Sequence, residues 1–470
     1  MNVAKFKMLK LNIKIRKTIL LQIIVILLFL IELLLFSING YNINQITVLQ
    51  YELIIVYFSI YICAYIKLGP FNLYSIFLFT MLVFIYARIF LDALGLCEWE
   101  WANKWNDFYF PVETQFQILS LLILSLLCVN LGHSMTSVNT HKLNFSFPSS
   151  SKIEQWAIFF FILAIPGITV KYLLELKVIL SNGYLAIFDG TLANLSYPLW
   201  TMGAGTIFIS SYAIFLASRP AKKKFIIISS IFFILNILNM LKGSRNKMMV
   251  PFLFLLWYYY NFYKSKPTVP FYKIAFMALI CIAFSQWMVV SRIDSNEIDY
   301  STIVSLFFVE QGVSILILGY MVYYKNLFIN NSIPYILGPL FLTGTTAGQT
   351  FESLQQTYML SYKLTYFLSP SAYYAGEGIG SSYLGEFYDL GIIGFIVMSF
   401  ILGYFIKSMD IYVKRSRIML VLAYFIVQEV IYMPRNTFFP LLIEILPCIF
   451  IYFVIKTLSH RTNFRVAFFK

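Results

Sequence analysis

An all-α polytopic membrane protein with about twelve spans is the fold class this sequence predicts, and three observations carry it. Hydrophobic residues make up 60% of the chain and charged ones only 12%, about half the charged share of an ordinary soluble domain. Uninterrupted apolar runs recur along its length, the first of them, Thr18–Ile38, long enough to cross ~30 Å of hydrocarbon as a helix and the others comparable. Lys and Arg concentrate in alternate loops, the pattern of a chain threaded back and forth under the positive-inside rule.

The runs follow in order. Thr18–Ile38 holds a single charge, Glu32; it is too long for a signal-peptide core and no small-residue cleavage site follows it, so it is expected to stay as a helix. Gln45–Ile66, Phe71–Leu91, Thr114–Leu131 and Ile153–Leu174 come next, then Leu199–Ala217, Phe225–Leu241, Met248–Tyr263 and Tyr272–Val290. Gly391–Ile406, Ile418–Tyr432 and Phe438–Ile455 complete the set. The chain therefore divides into a first membrane part (1–290), a segment of about a hundred residues (291–390) that is too long for a connector, and a last membrane part (391–470). Within the middle segment, Ser301–Tyr324 and Ser332–Ala347 are apolar. They suit interfacial or re-entrant packing, or two further spans that would bring the count to fourteen. Gln349–Tyr374 is polar and rich in Tyr, a residue that stacks on sugar rings and equally populates membrane interfaces.

Charge sets the expected orientation. The N-terminal cations (Lys5, Lys7, Lys10, Lys14, Arg16, Lys17) start inside, joined there by Lys222–Lys224, by Lys414, Arg415 and Arg417, and by the C-terminal cations. Acids collect on the other side, at Asp92, Glu98, Glu100, Asp107 and Glu113 and again at Asp294, Glu297 and Asp299. The net charge of +14 is thus an orientation signal and not a nucleic-acid footprint. The five cysteines have no spacing suited to disulfides or metal. His133, His141 and His460 all fall inside, which leaves no imidazole for acid–base work outside, and no metal site or cofactor is expected.

A few cations break the trend and end on the outer face. Lys242-Gly243-Ser244-Arg245-Asn246-Lys247 is a tight turn between two spans; its glycine allows close backbone approach, Ser244 donates, and Lys242, Arg245 and Lys247 surround the turn. Arg forks match phosphate oxygens in a bidentate manner. Arg292 follows the ninth span and Arg435 sits in Pro434-Arg435-Asn436 between the last two. Together they suggest a cradle for a diphosphate. Each alone would also serve as an interfacial anchor. Among carboxylates, Glu386 lies in the glycine-rich stretch 376–391, where it suits either a general base or a complement to a helix N-terminus. Glu310 stands in an apolar run and needs a partner, functional or structural. Arg88, Glu429 and Glu444 are further charges within apolar runs; Glu429 and Glu444 flank Arg435, to orient it or to mark a transport path.

Lys-Gly-Ser-Arg at 242–245, Val-Glu-Gln-Gly-Val-Ser at 309–314, Gly-Ile-Gly-Ser-Ser-Tyr-Leu-Gly-Glu-Phe-Tyr at 378–388 and Pro-Arg-Asn at 434–436 together resemble the O-antigen polysaccharide polymerase (Wzy) family. The resemblance covers roughly residues 200–440 by motif and the whole chain by length and helix count. It implies a GT-C-type glycosyltransferase of the bacterial inner membrane with both termini cytoplasmic. The implied substrates are undecaprenyl-diphosphate-linked oligosaccharides at the periplasmic face. A flippase and a chain-length-regulating co-polymerase are the implied partners. On this view Arg245, Arg292 and Arg435, helped by Lys242, Lys247 and Ser244, stabilise the leaving diphosphate, and Glu386 or Glu310 takes the acceptor's proton. An O-antigen ligase-like glycosyltransferase is an alternative, although an outer-face His is expected there. A lipid-linked oligosaccharide flippase or transporter is the other, and it would not need the 291–390 segment.

Overall fold

The computed structural model describes residues 2–101, 108–135, 146–183, 191–192, 195–243, 245–264, 303–328, 333–340, 349–439 and 442–461, with isolated positions at 269, 272 and 283. Its membrane helices are α1 (Asn2–Ile38), α2 (Ile43–Leu68), α3 (Leu73–Asp92, with a π-helical turn at Leu82–Tyr86), α4 (Val112–Ser134) and α5 (Ser151–Asn182). There follow α6 (Ala204–Ala217, entered through a 3-10 turn at Leu199–Thr201), α7 (Lys222–Met240) and α8 (Asn246–Phe262). The middle segment contributes α9 (Ile303–Gln311), α10 (Ile315–Tyr323), α11 (Phe351–Gln356), α12 (Leu360–Leu368), α13 (Pro370–Tyr374) and α14 (Tyr383–Tyr388). The chain closes with α15 (Gly391–Arg415), α16 (Arg417–Tyr432) and α17 (Leu442–Arg461).

Among the described residues there is no strand, only an isolated bridge between Trp101 and Tyr109, and nine helices are long and apolar enough to cross a membrane. An all-helical, multi-pass protein is therefore what the sequence encodes. Nine of the twelve predicted spans coincide with these nine helices to within two residues at the ends where they overrun, and three remain. The expected Met248–Tyr263 span is α8, a helix of 17 residues, and the expected last span is α17, of 20 residues. The expected Tyr272–Val290 span lies outside the described residues, as do Ser244 and Arg292.

Local signals start and stop these helices. Asn42 caps α2 in a reciprocal box, accepting from Gln45 N while the Gln45 side chain accepts from Asn42 N, which satisfies donors that would otherwise be stranded at a helix start. Ser150 caps α5 through Ile153 N. At 32 residues, α5 is ~48 Å long, well beyond the hydrocarbon thickness, so its end projects past the apolar layer. That projecting end carries Lys171 and Glu175.

The tightest packing joins α4 to α15. A Cβ at Gly132 would overlap Phe400 O, and one at Gly403 would overlap Val129 O. Backbone thus lies on backbone, as small residues permit between membrane helices. Ser125 Oγ and Ser399 Oγ share a hydrogen bond of 3.0 Å across the same crossing. Elsewhere the core is aromatic, with Tyr212 of α6 stacked on Phe232 of α7 at 3.9 Å. The α10 helix is packed inside the assembly, with Ile315, Ile317, Leu318 and Met321 fully covered.

Loops segregate to two ends. At one, Ser146 N donates to Lys414 O, Arg219 Nη1 to Phe147 O and Arg417 to Pro148 O. At the other gather the end of α5, the α7–α8 turn, the end of α9 and the turn after α16, joined by the contacts described next. Among the described residues, Lys414, Arg417 and Arg219, expected inside, share the first end, and Lys242, Arg245 and Arg435 share the second.

Candidate functional site

Three segments far apart in the chain build the second end. The α7–α8 turn supplies Arg245, whose Nη2 lies 3.6 Å from Glu310 Oε2 at the end of α9. The neighbouring Gln311 amide, oriented so that its oxygen faces donors, accepts from Arg245 Nη1 and Nη2 at 3.3 and 3.2 Å. The turn after α16 supplies Arg435, whose Nη1 donates to Glu310 O at 3.2 Å and Gln311 O at 3.0 Å. Two of the three arginines proposed for the cradle therefore grip the same peptide, one by its side chains and the other by its carbonyls. Arg292 and Ser244 lie outside the described residues.

The electrostatics of the two guanidinium groups differ. Arg245 is partly balanced by the half-exposed Glu310 carboxylate, a class of ion pair worth about 0–1 kcal/mol. Arg435 is held by neutral carbonyls, with the Phe84 ring 5.8 Å beneath its Cζ. Among the described residues no carboxylate forms an ion pair with Arg435. Carbonyl acceptors orient a guanidinium without cancelling its charge, which is the condition for capturing an anion. Phe84 belongs to the π-helical turn of α3, a local widening often seen at functional sites. One turn further on, the Arg88 side chain packs under Gly312, where a Cβ would strike Arg88 Cγ and Cδ. The close approach explains a glycine at the point where α9 gives way to a 3-10 turn. Arg88 is buried with Nε and Nη1 lacking a hydrogen-bond partner.

Lys242 and Lys247, from the same turn as Arg245, part ways. Lys242 Nζ pairs with Glu175 Oε2 at 2.5 Å and lies 4.5 Å over the Tyr172 ring; burial pushes its ammonium down, and Glu175 opposes the shift. Its charge is thus spent on α5. Lys247 is exposed and lies within electrostatic reach of Glu429, whose Oε2 accepts from Asn436 Nδ2 at 3.2 Å.

The two carboxylates singled out in the sequence also separate. Glu310 is exposed and touches Arg245. Glu386 is fully buried, accepting from Phe438 N at 2.8 Å through Oε2 and from Ser381 Oγ at 3.3 Å through Oε1. Burial pushes its pKa up to about 8, with Asp389 and Glu429 adding to the rise and the two hydrogen bonds opposing it. It ties α14 to the turn that carries Arg435. Asp389, likewise raised by burial, accepts from Tyr335 N at 2.8 Å and fastens the neighbouring 3-10 turn.

Sequence reasoning missed Gln311, Glu175 and Tyr197. Glu175 pairs with Lys171 at 3.9 Å and accepts from Tyr197 Oη at 3.0 Å, besides binding Lys242. The i, i+4 spacing of Lys171 and Glu175 is the one local signal that would have drawn attention to them. Among the described residues no group of three His, Cys, Asp or Glu is placed to hold a metal ion.

Compared with known proteins, the chain matches the sequence model of O-antigen polysaccharide polymerase Wzy over residues 18–462. No curated protein and no solved structure gives a match.

Proposed function

The chain belongs to the O-antigen polysaccharide polymerase Wzy family, membrane glycosyltransferases that polymerise repeat units, and from that premise we propose how its own residues carry the reaction. The substrates are oligosaccharide repeat units linked to undecaprenyl diphosphate, presented at the periplasmic face. The chain crosses the membrane about twelve times with both termini cytoplasmic, which puts the Arg245–Glu310–Arg435 end outside. Chain-length-regulating and flipping proteins are its partners in the pathway.

In the reaction, a hydroxyl oxygen at the non-reducing end of the incoming unit attacks the anomeric carbon of the growing glycan. The bond from that carbon to the diphosphate oxygen breaks, and the diphosphate leaves with the electron pair. Charge on the departing oxygen is where stabilisation is needed. Arg435, oriented but not neutralised, meets that charge together with Arg245 and Lys247; Arg292 and Ser244, outside the described residues, remain candidates from the sequence. Lys242 acts indirectly, by anchoring the turn to Glu175.

An incoming diphosphate competes with Glu310 for Arg245. The displaced carboxylate is then released from its ion pair and open to the acceptor hydroxyl. Glu310 is accordingly the better placed of the two carboxylates to accept the attacking hydroxyl's proton. Glu386 has both oxygens occupied and no exposed surface, so it positions the Arg435 turn.

The observation that carries this reading is the capture of one peptide, 310–311, by two guanidinium groups, of which Arg435 has no carboxylate partner among the described residues. The test is a polysaccharide gel from a strain deleted for the gene and complemented with wild type, Arg435→Ala or Arg245→Ala. Wild type restores a ladder; Arg435→Ala leaves glycan with one repeat, a loss of about 10²–10³ in turnover. Loss of even the single-repeat species in the deletion strain would assign export or ligation instead. A ladder unchanged by Arg435→Ala would remove the arginine cradle from the mechanism.

A further inference from the structure

A cavity of about 480 Å³ opens between α5, α6, α16 and α17, within the ~300–1,000 Å³ range of small-molecule sites. It belongs to neither the arginine pair nor the Glu386 network, yet a short relay of side chains leads from it toward each arginine. On one wall Lys171 and Tyr197 share Glu175 with Lys242, in the turn that carries Arg245. On the other, Glu444 lies within electrostatic reach of Glu429, which holds Asn436 beside Arg435.

The chemistry of its lining differs from that of the cradle. Lys171 is offset by Glu175, and Glu444 forms no ion pair among the described residues, so the wall carries no surplus of positive charge for a phosphate. Thr201, Thr206 and Ser210 line the same space together with Ile209 and Phe425, the Thr201 hydroxyl donating to Pro198 O and free to accept. Hydroxyl donors and acceptors, a carboxylate, an ammonium and apolar patches suit a polyol with C–H faces.

Glycan transfer between two lipid-linked units needs a place for the second saccharide apart from the diphosphate of the first. We propose that this cavity is a saccharide-binding site, which holds the non-reducing sugars of the acceptor unit beside the Arg245–Arg435 cradle, with Glu444 and Lys171 as its hydrogen-bonding ends. The assignment rests on the polymerase reading above.

Full-length protein in lipid nanodiscs tests it with two separate probes, the free repeat-unit oligosaccharide, without lipid or diphosphate, and undecaprenyl diphosphate, without sugar. Thr206 is exposed, so Thr206→Trp fills the cavity without entering the core, and Glu444→Gln alters one hydrogen-bonding end at constant shape. Both variants should weaken oligosaccharide binding about tenfold or more, the loss that follows when one buried hydrogen bond is left unmade, and leave undecaprenyl diphosphate binding within about twofold. Arg435→Ala should do the reverse. Oligosaccharide binding that is undetectable in wild type, unchanged in both cavity variants, or lost in Arg435→Ala together with the diphosphate overturns the site. Oligosaccharide binding unchanged with co-purified lipid lost in Thr206→Trp makes the cavity a lipid site and overturns it equally. Failure of wild type to bind undecaprenyl diphosphate would instead strike the cradle and leave the cavity result to stand or fall on its own probe.

Discussion

Glu386→Gln separates a structural role from a catalytic one. The buried carboxyl is pushed from 4.5 to about 8, so the folded protein binds a proton there that the unfolded chain gives up between those values. For a raised acid the sign is fixed: folding is penalised progressively as pH climbs from 4.5, and the penalty levels off above about 8. At 1.36 kcal/mol per pH unit the penalty is about 3 kcal/mol at pH 7 and about 5 kcal/mol at its ceiling. Glutamine keeps an oxygen for Phe438 N and cannot ionise, so the variant should lose this slope. Thermal unfolding of detergent-solubilised protein from pH 5 to 9 should show the wild type falling more steeply than Glu386→Gln, which keeps the contribution of Asp389 and is more stable at the alkaline end. Polymer length in complemented cells should stay near wild type, because Glu386 positions the Arg435 turn and touches no substrate. A slope in the variant equal to that of wild type would refute the assignment of this titration to Glu386. A shallower slope with abolished polymer would make Glu386 the base and displace Glu310 from that role.

Glu175→Gln leaves the Lys242 ammonium largely buried without its carboxylate, a class of change that costs about 3–5 kcal/mol; unfolding should show the loss, and adding Lys242→Met should recover most of it. Gly403→Ala drives a Cβ into Val129 O, so α4 and α15 must part, at about 1–3 kcal/mol, read as a lower unfolding temperature and not as an altered polymer length in the fraction that folds. Glu310→Gln should lower turnover while leaving undecaprenyl diphosphate binding equal or tighter, since the competitor for Arg245 has gone; weaker binding would contradict the displacement step.

Much of this was legible from the sequence because membranes impose simple rules. Apolar runs mark helices, and alternating cations separate the loops into two sets; the loops that meet at each end of the bundle are those that charge had grouped. Arg245 and Arg435 were visible because they break that rule. What they touch was not: Glu310 and Gln311 are contacted from residues more than sixty and more than a hundred positions away, and no local period encodes such a pairing. The surroundings of Glu386 were hidden for a related reason. It stands in a glycine-rich stretch, and its fully buried carboxylate is met by the distant N–H of Phe438. The cavity is shaped by four helices at once and leaves no trace in any one of them.

Because the anion-facing end draws on turns at 242–247, 310–311 and 434–438, it does not exist until the final pair of helices has entered the bilayer. A nascent chain that has inserted only its first dozen helical segments already displays Arg245, but with neither Arg435 nor the Phe438 amide to complete the arrangement. On the proposed reading, C-terminally truncated forms that lack Arg435 should not capture the lipid-linked donor.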